Sequence, residues 1–218
     1  TATTEIYTLS LHDALPISPA LCEDEICFST ENGTLWFLNL RGQKMATYEL
    51  KEESTHSPSF YKKIIVAGSR RNIHALAFSS KKTFWQKPLD GNLCAGPVLH
   101  GTSLFYSSSD AKVTRLSLNG KTTWQISLPR PPTEALFVTD GQLFVGDDRG
   151  QVYGLDARDG KILWQRDTRR NPEEIAPIGA AFLGKGELLI VSNKARRLLV
   201  LSRKTGKPLL EHDLEINL

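Results

Sequence analysis

The chain has 218 residues, 40% hydrophobic and 23% charged, with a mean hydropathy of −0.27. That is an ordinary globular composition, long enough to bury a core. No apolar run approaches the roughly 20 residues of a membrane-spanning helix, three Cys are too few for a disulfide framework, and a net charge of +3 names no partner by itself.

Thr1 to Ile17 reads TATTEIYTLSLHDALPI, codon for codon the conceptual translation of a common sequencing-library adapter. Residues 1–18 are therefore expected to be adapter-derived and are set aside like a fusion scar; a targeting signal or lipid anchor upstream of them is left open.

From residue 19 onward the chain repeats itself. The first unit, 19–50, ends in LRGQKMATYEL, with a turn anchor at Gly42, then Ala46 and Leu50. The second, 57–89, ends in LAFSSKKTFWQKPL, with Lys81, Trp85 and Leu89 in the same places. The third, 96–128, ends in LNGKTTWQISL, with Gly120, Trp124 and Leu128. The fourth, 133–168, is the clearest: GQLFVGD, QVYGLDA and KILWQRD are short strand-forming runs separated by DDRG and RDG, with Gly160, Trp164 and Thr168 in phase. The fifth, 175–214, carries Gly206, Leu210 and Leu214. Anchor spacings are 39, 39, 40 and 46 residues, and Pro19, Pro58, Pro97 and Pro177 keep the same period, with the stretch at Thr133-Glu134 filling the gap. A period near 40 means a solenoid, a propeller or an array. Four short strands per period without an amphipathic helical stripe select one propeller blade per repeat. The expected fold is all-β: about five four-stranded antiparallel blades of a β-propeller.

The pattern of strand, Gly turn, strand and then L-D-x-x-x-G-K-x-x-W, matched best by Asp156, Gly160, Lys161 and Trp164, resembles the quinoprotein-type (PQQ-like) propeller repeat. The resemblance extends over residues 19–218. Members of that family include quinone-dependent alcohol dehydrogenases, the outer-membrane assembly lipoprotein BamB and sensor domains fused to kinases. The resemblance implies six to eight blades in all, and a bacterial envelope or periplasmic location for BamB-like members. Trp85, Trp124 and Trp164 are expected to occupy equivalent buried positions on the last strand of their blades and to pack blades together. Each can bury about 150–250 Å², an upper bound of about 4–6 kcal/mol.

Chemistry is sparse. A quinone enzyme of the family would need a calcium-binding carboxylate and amide set, a catalytic Asp and usually a Cys-Cys pair. This sequence has no adjacent cysteines, and Cys22, Cys27 and Cys94 read as buried free thiols. His56, His74, His100 and His212 lack metal-ligand spacing, Asp147-Asp148 reads as a solvated hairpin rather than a cation loop, and the sequon Asn32-Gly33-Thr34 falls on a turn. No catalytic residue, cofactor or metal is expected.

One charged pattern stands out. The turns between second and third strands carry Arg70, Arg71, Lys112, Arg149, Lys194, Arg196 and Arg197, which the repeat would place on one rim. Arg130, Arg169 and Arg170 join them from the blade connections, diluted by Glu52, Glu53, Glu173 and Glu174. The leading expectation is a non-catalytic protein-binding or scaffold propeller that docks an acidic or extended protein segment on this rim. No nucleic acid is expected, because a propeller rim offers no helix or ribbon for a groove, and no oligomer is implied. The alternatives are a fragment of a quinone-dependent dehydrogenase and the sensor domain of a truncated signalling protein.

Overall fold

Segments three to eight residues long that are rich in Val, Ile, Leu, Phe, Tyr and Trp, closed by Gly, Asn, Asp or Ser, favour short strands joined by tight turns. In the computed structural model, which describes residues 19–54, 56–139, 141–171, 173, 178–183, 187–192 and 197–213, every helix or strand assigned is a strand. The adapter-like segment 1–18 lies outside the described residues. The first sheet is β1 (Ala20–Cys22), β2 (Glu25–Ser29), β3 (Thr34–Asn39) and β4 (Lys44–Glu49). The second is β5 (Ser59–Tyr61), β6 (Ile64–Gly68), β7 (Asn72–Ala77) and β8 (Thr83–Pro88). The third is β9 (Leu93–His100), β10 (Ser103–Ser108), β11 (Lys112–Ser117) and β12 (Thr122–Ser127). The fourth is β13 (Pro132–Thr139), β14 (Gln142–Asp147), β15 (Gln151–Asp156) and β16 (Ile162–Asp167), and the fifth β17 (Ile178–Leu183), β18 (Glu187–Ser192), β19 (Arg197–Ser202) and β20 (Pro208–Asp213). Each quartet is a four-stranded sheet ordered as the chain runs, with antiparallel neighbours. This is the propeller-blade architecture expected from the repeat.

The chain falls into two compact units: the described residues up to Leu93 together with Leu118–Gly120, and Cys94–Ser117 together with Lys121 onward. The first unit buries Cys22, Cys27, Leu35, Phe37, Leu50, Ile65 and Leu76 in one cluster. The second buries Phe105, Leu143, Val145, Tyr153 and Leu155 in one cluster and Phe144, Val152, Trp164, Leu199 and Leu201 in another. First strands of successive blades are neighbours within each unit, β1 beside β5 and β13 beside β17. The fourth strands are mostly exposed.

One irregularity recurs in all five blades. The pairing of third and fourth strands slips by one residue at Phe37/Leu38, Ala75/Leu76, Arg115/Leu116, Gly154/Leu155 and Val200/Leu201. A bulge leaves one residue unpaired and re-aims the next. The unpaired residues are Met45, Phe84, Thr123, Leu163 and Leu209, which point outward. The next residues are Ala46, Trp85, Trp124, Trp164 and Leu210. The bulge thus explains why two apolar residues stand side by side on an edge strand.

The three tryptophans make the same contact. Trp85 Nε1–H donates to the Leu118 carbonyl at 2.7 Å, Trp124 to Ala157 at 3.2 Å and Trp164 to Arg203 at 2.7 Å. Their rings lie against the next turn anchor: a Cβ on Gly120 would stand 2.9 Å from Trp85 Cδ2, one on Gly160 would stand 2.8 Å from Trp124 Cε3, and one on Gly206 would meet Trp164. All five anchors have positive φ, from 54° at Lys81 to 81° at Gly120; at Gly120, Gly160 and Gly206 glycine serves both for its backbone and for its missing side chain. Trp164 is buried, whereas Trp85 and Trp124 are half-buried. Sequence reasoning expected all three to be equally buried.

The residues that end the fourth strands are anchored alike. Leu50, Leu89, Leu128 and Thr168 donate their N–H groups to the carbonyls of Gly33, Arg71, Ala111 and Gly150 at 2.7–2.9 Å. The side chains are buried, and the Thr168 hydroxyl adds a bond to Gly150 at 2.8 Å. In these four blades this ties the end of the fourth strand to the turn between second and third strands, the face on which the basic residues were expected; Leu214, the fifth residue of the series, lies outside the described residues.

Candidate functional site

In the first four blades the turn between second and third strands opens on a buried polar residue: Thr30, Ser69, Ser108 and Asp147, spaced by 39 residues. A short polar side chain there holds the turn by bonding its own backbone. Thr30 bonds the Thr34 carbonyl at 3.0 Å, and Asn32 Oδ1 accepts from Thr30 Oγ1 and from the Thr34 N–H, so the sequon asparagine is spent on the turn. Asp147 accepts from the N–H groups of Arg149 and Gln151, both at 2.9 Å. The expectation of a solvated Asp147 is thereby corrected: its side chain is 0% exposed.

In the first unit, Arg70 and Arg71 are exposed and line a recess of about 440 Å³ with Glu52, Glu53 and Asn92. Glu52 is committed inward. It accepts from Ser69 Oγ at 2.9 Å, the Arg71 N–H at 3.0 Å and Asn72 Nδ2 at 3.0 Å, and although burial opposes this, these bonds hold its pKa below the usual carboxylate range. Ser69 Oγ also stands 3.3 Å from His74 Nε2. A serine, a histidine and a carboxylate are in contact, but the carboxylate bonds the serine, and His74 Nδ1 is buried without a partner. A nucleophilic triad needs the acid on the far nitrogen of the histidine, so the group is a structural network. Burial lowers the His74 pKa.

Among its described residues, the second unit spends four of six expected rim charges internally. Lys112 pairs with Asp110 at 2.7 Å, Arg169 with Asp167 at 2.7 Å, and Arg170 with Glu211 and Asp213 at 2.8 and 3.0 Å. Arg197 departs from the rim expectation altogether. It is 2% exposed, its guanidinium donating to the Thr168 carbonyl at 2.7 Å and to Glu211 at 3.0 Å. A buried arginine with these partners cross-links β19 to the start of a blade connection and is not available to a partner. Lys194, Arg196 and Glu174 lie outside the described residues. Arg149, with Arg130, lines a recess of about 250 Å³ that includes Asp147, Tyr153, Gln151 and Gln165. The structure thus brings Arg70 and Arg71 together at one recess and Arg149 and Arg130 together at another. Sequence reasoning missed the Asp147–Tyr153 floor of the second recess, although the spacing of residues 30, 69, 108 and 147 carried the signal.

Cys22 and Cys27 are buried free thiols sharing a hydrogen bond that lowers the pKa of Cys22 and, with burial, raises that of Cys27. Cys94, expected to be buried, is half-buried. Among the described residues no three His, Cys, Asp or Glu side chains converge as metal donors, and no helix is long and apolar enough to cross a membrane.

A family model described as outer membrane protein assembly factor BamB, of the PQQ type, matches residues 26–132 and 70–216. No curated protein sequence gives a significant match. Among solved structures, the computationally designed Ika8 protein superposes with a TM-score of 0.80 at 16% identity, covering 92% of this chain and 62% of its own. BamB from Moraxella catarrhalis gives 0.75 at 18% identity, covering 93% and 66%, and a chain of the mitotic checkpoint complex gives 0.77 at 12%, covering 92% and 66%. At these identities the likeness is one of fold, and the chain spans about two thirds or less of the length of each.

Proposed function

Because the chain belongs to the PQQ-type propeller family described as outer membrane protein assembly factor BamB, we propose that it is a non-catalytic scaffold that docks an acidic, extended protein segment during assembly of outer-membrane proteins. The family match carries this reading. The two recesses supply its chemistry: Arg70 and Arg71 in one, Arg130 and Arg149 in the other. Arginine grips carboxylates through two parallel N–H bonds, so an acidic segment suits these recesses better than a compact apolar ligand.

The test is binding of a labelled peptide carrying a run of Asp and Glu, compared with its Asn and Gln counterpart, to the whole chain and to the Arg70→Glu/Arg71→Glu/Arg149→Glu variant. Arg197 is left intact, since reversing a buried charge would test folding instead. Capture should fall at least about tenfold in the variant, and should weaken with salt because exposed charges are screened over about 8 Å at physiological ionic strength. Unchanged, salt-insensitive binding by a folded variant would reject the proposal.

A further inference from the structure

The first two blades depart from the repeat in four residues that lie together. In the β1–β2 hairpin Ala20 faces Cys27 and Cys22 faces Glu25, so both cysteines and the glutamate share one face of the pair. The β5–β6 hairpin is built alike, Ser59 facing Val66 and Tyr61 facing Ile64, and the matching places there hold Tyr61, Ile64 and Val66. Lys81, the one anchor of five that is not glycine, reaches this face with its ammonium 2.6 Å from Glu25. Both thiols are 0% exposed, lie in one core cluster and are joined by a hydrogen bond. The third cysteine, Cys94, belongs to β9 in the second unit. Packing alone asks only for small apolar side chains here, whereas two thiols in contact beside an ammonium are what thiol–disulfide chemistry uses. The bond from Cys27, helped by Lys81, lowers the pKa of Cys22 against the opposing effects of burial and Glu25; the same bond and burial raise that of Cys27.

We propose that Cys22 and Cys27 are a redox-active dithiol, which a disulfide oxidant closes into a disulfide that pins β1 to β2. Cys22 gives its proton to water, and its thiolate attacks one sulfur of the oxidant and expels the other as a thiolate. Cys27 then loses its proton and attacks Cys22 Sγ, forming the Cys22–Cys27 bond and releasing the second oxidant thiolate. The pair gives up two protons and two electrons, and the oxidant, a glutathione-type or protein disulfide, takes up both to become two thiols. Neither thiol is exposed, so exchange passes through opening of β1. That strand has three residues, all of them paired with β2, against eight residues in β9 and in β13, and elements with few pairings open at low free energy. The sulfurs are already in hydrogen-bond contact, so closure asks for a further approach of two short side chains and leaves the strand pairing as it is. The inference goes beyond the docking proposed above and does not rest on it.

The experiment incubates the whole folded chain in glutathione buffers of increasing oxidised fraction, then unfolds it and alkylates every remaining free thiol. Cys22 and Cys27 should lose their labels together, and mass spectrometry should find the peptides that hold them joined to each other. Cys27→Ser, whose hydroxyl still donates to Cys22, should trap a mixed disulfide of glutathione on Cys22. Cys22→Ser should form one on Cys27 at least about tenfold more slowly. Circular dichroism checks that both variants fold, and the linkage in the wild type requires neither. Amide exchange in the β1–β2 hairpin of the wild type should slow at least about threefold on oxidation. Retention of both labels by the folded wild type in the most oxidising buffer, a linkage through Cys94, or closure only in the urea-unfolded chain would overturn the dithiol. Equal rates in the two folded variants would overturn the choice of Cys22 as the attacking thiol, and unchanged amide exchange would overturn the pinning of β1.

Discussion

Trp85, Trp124 and Trp164 share a bulge, a backbone acceptor and a glycine to lie against, yet they differ in burial, and burial sets their worth. Trp164 is 8% exposed and also fills the space beside Gly154, so Trp164→Ala should cost about 3–5 kcal/mol in urea denaturation. Trp124→Ala, removing a half-buried ring, should cost less, about 2–3 kcal/mol. A loss below about 1 kcal/mol at either position would show that the ring contributes little to holding one blade against the next. The basic residues divide in the same manner. Removing Arg197 strands the Thr168 carbonyl and leaves Glu211 short of a partner, so Arg197→Ala should destabilise by about 3 kcal/mol, whereas Arg149→Ala should stay within about 0.5 kcal/mol. Parallel melts of the two variants check this, and equal costs would contradict the division between spent and unspent charges.

At the scale of the blade, the exceptions to the repeat explain one another. Where the first blade has Ala46 in place of tryptophan, the next anchor is Lys81 in place of glycine, still at a φ of 54°. The Lys81 side chain occupies space that a ring fills elsewhere. Its ammonium stands 3.8 Å from the centroid of Phe78 and 4.7 Å from that of Phe37, and it pairs with Glu25 at 2.6 Å. Ala46→Trp alone should therefore destabilise by about 1–3 kcal/mol through overpacking, and much of that loss should vanish in the Lys81→Gly background. A double-mutant cycle measures the coupling, and additive effects would show that the two positions do not share one space. The period, the anchors and the tryptophan positions were legible in the sequence because they are dictated locally, by turn φ and strand alternation. The fate of the charges was not. Arg197 meets Glu211 14 residues away and Thr168 29 residues away, and Asp147 looks like any hairpin aspartate until the chain closes over it. Whether a turn charge is available or already used depends on neighbouring strands, which a linear reading cannot place.

For the molecule as a whole, the ionisable groups oppose one another as pH falls. His74, buried in the first unit, has a depressed pKa. The unfolded chain therefore binds the proton more readily, and stability should decline as pH drops below about 6.5, the ordinary histidine value. Carboxylates held low add to this at more acid pH. Asp156 is brought to about 2 by its bonds to Arg158. Asp167 is lowered by Arg169, and Glu211 by Arg197 and Arg170. Their contribution is present above the ordinary carboxylate range near 4 and is lost as pH falls through their lowered values. Asp147 acts in the opposite sense. Burial raises its pKa in the folded chain, so its contribution is complete in acid and is lost as pH rises through that raised value. Melting temperatures at pH 7.5, 5.5 and 3 should accordingly fall for the wild type. His74→Gln should flatten the drop between pH 7.5 and 5.5, and Asp147→Asn, neutral at every pH, should gain most over the wild type at pH 7.5 and least at pH 3. An Asp147→Asn advantage that grew toward acid would mean that the buried carboxylate is stabilised as an anion by the groups around it.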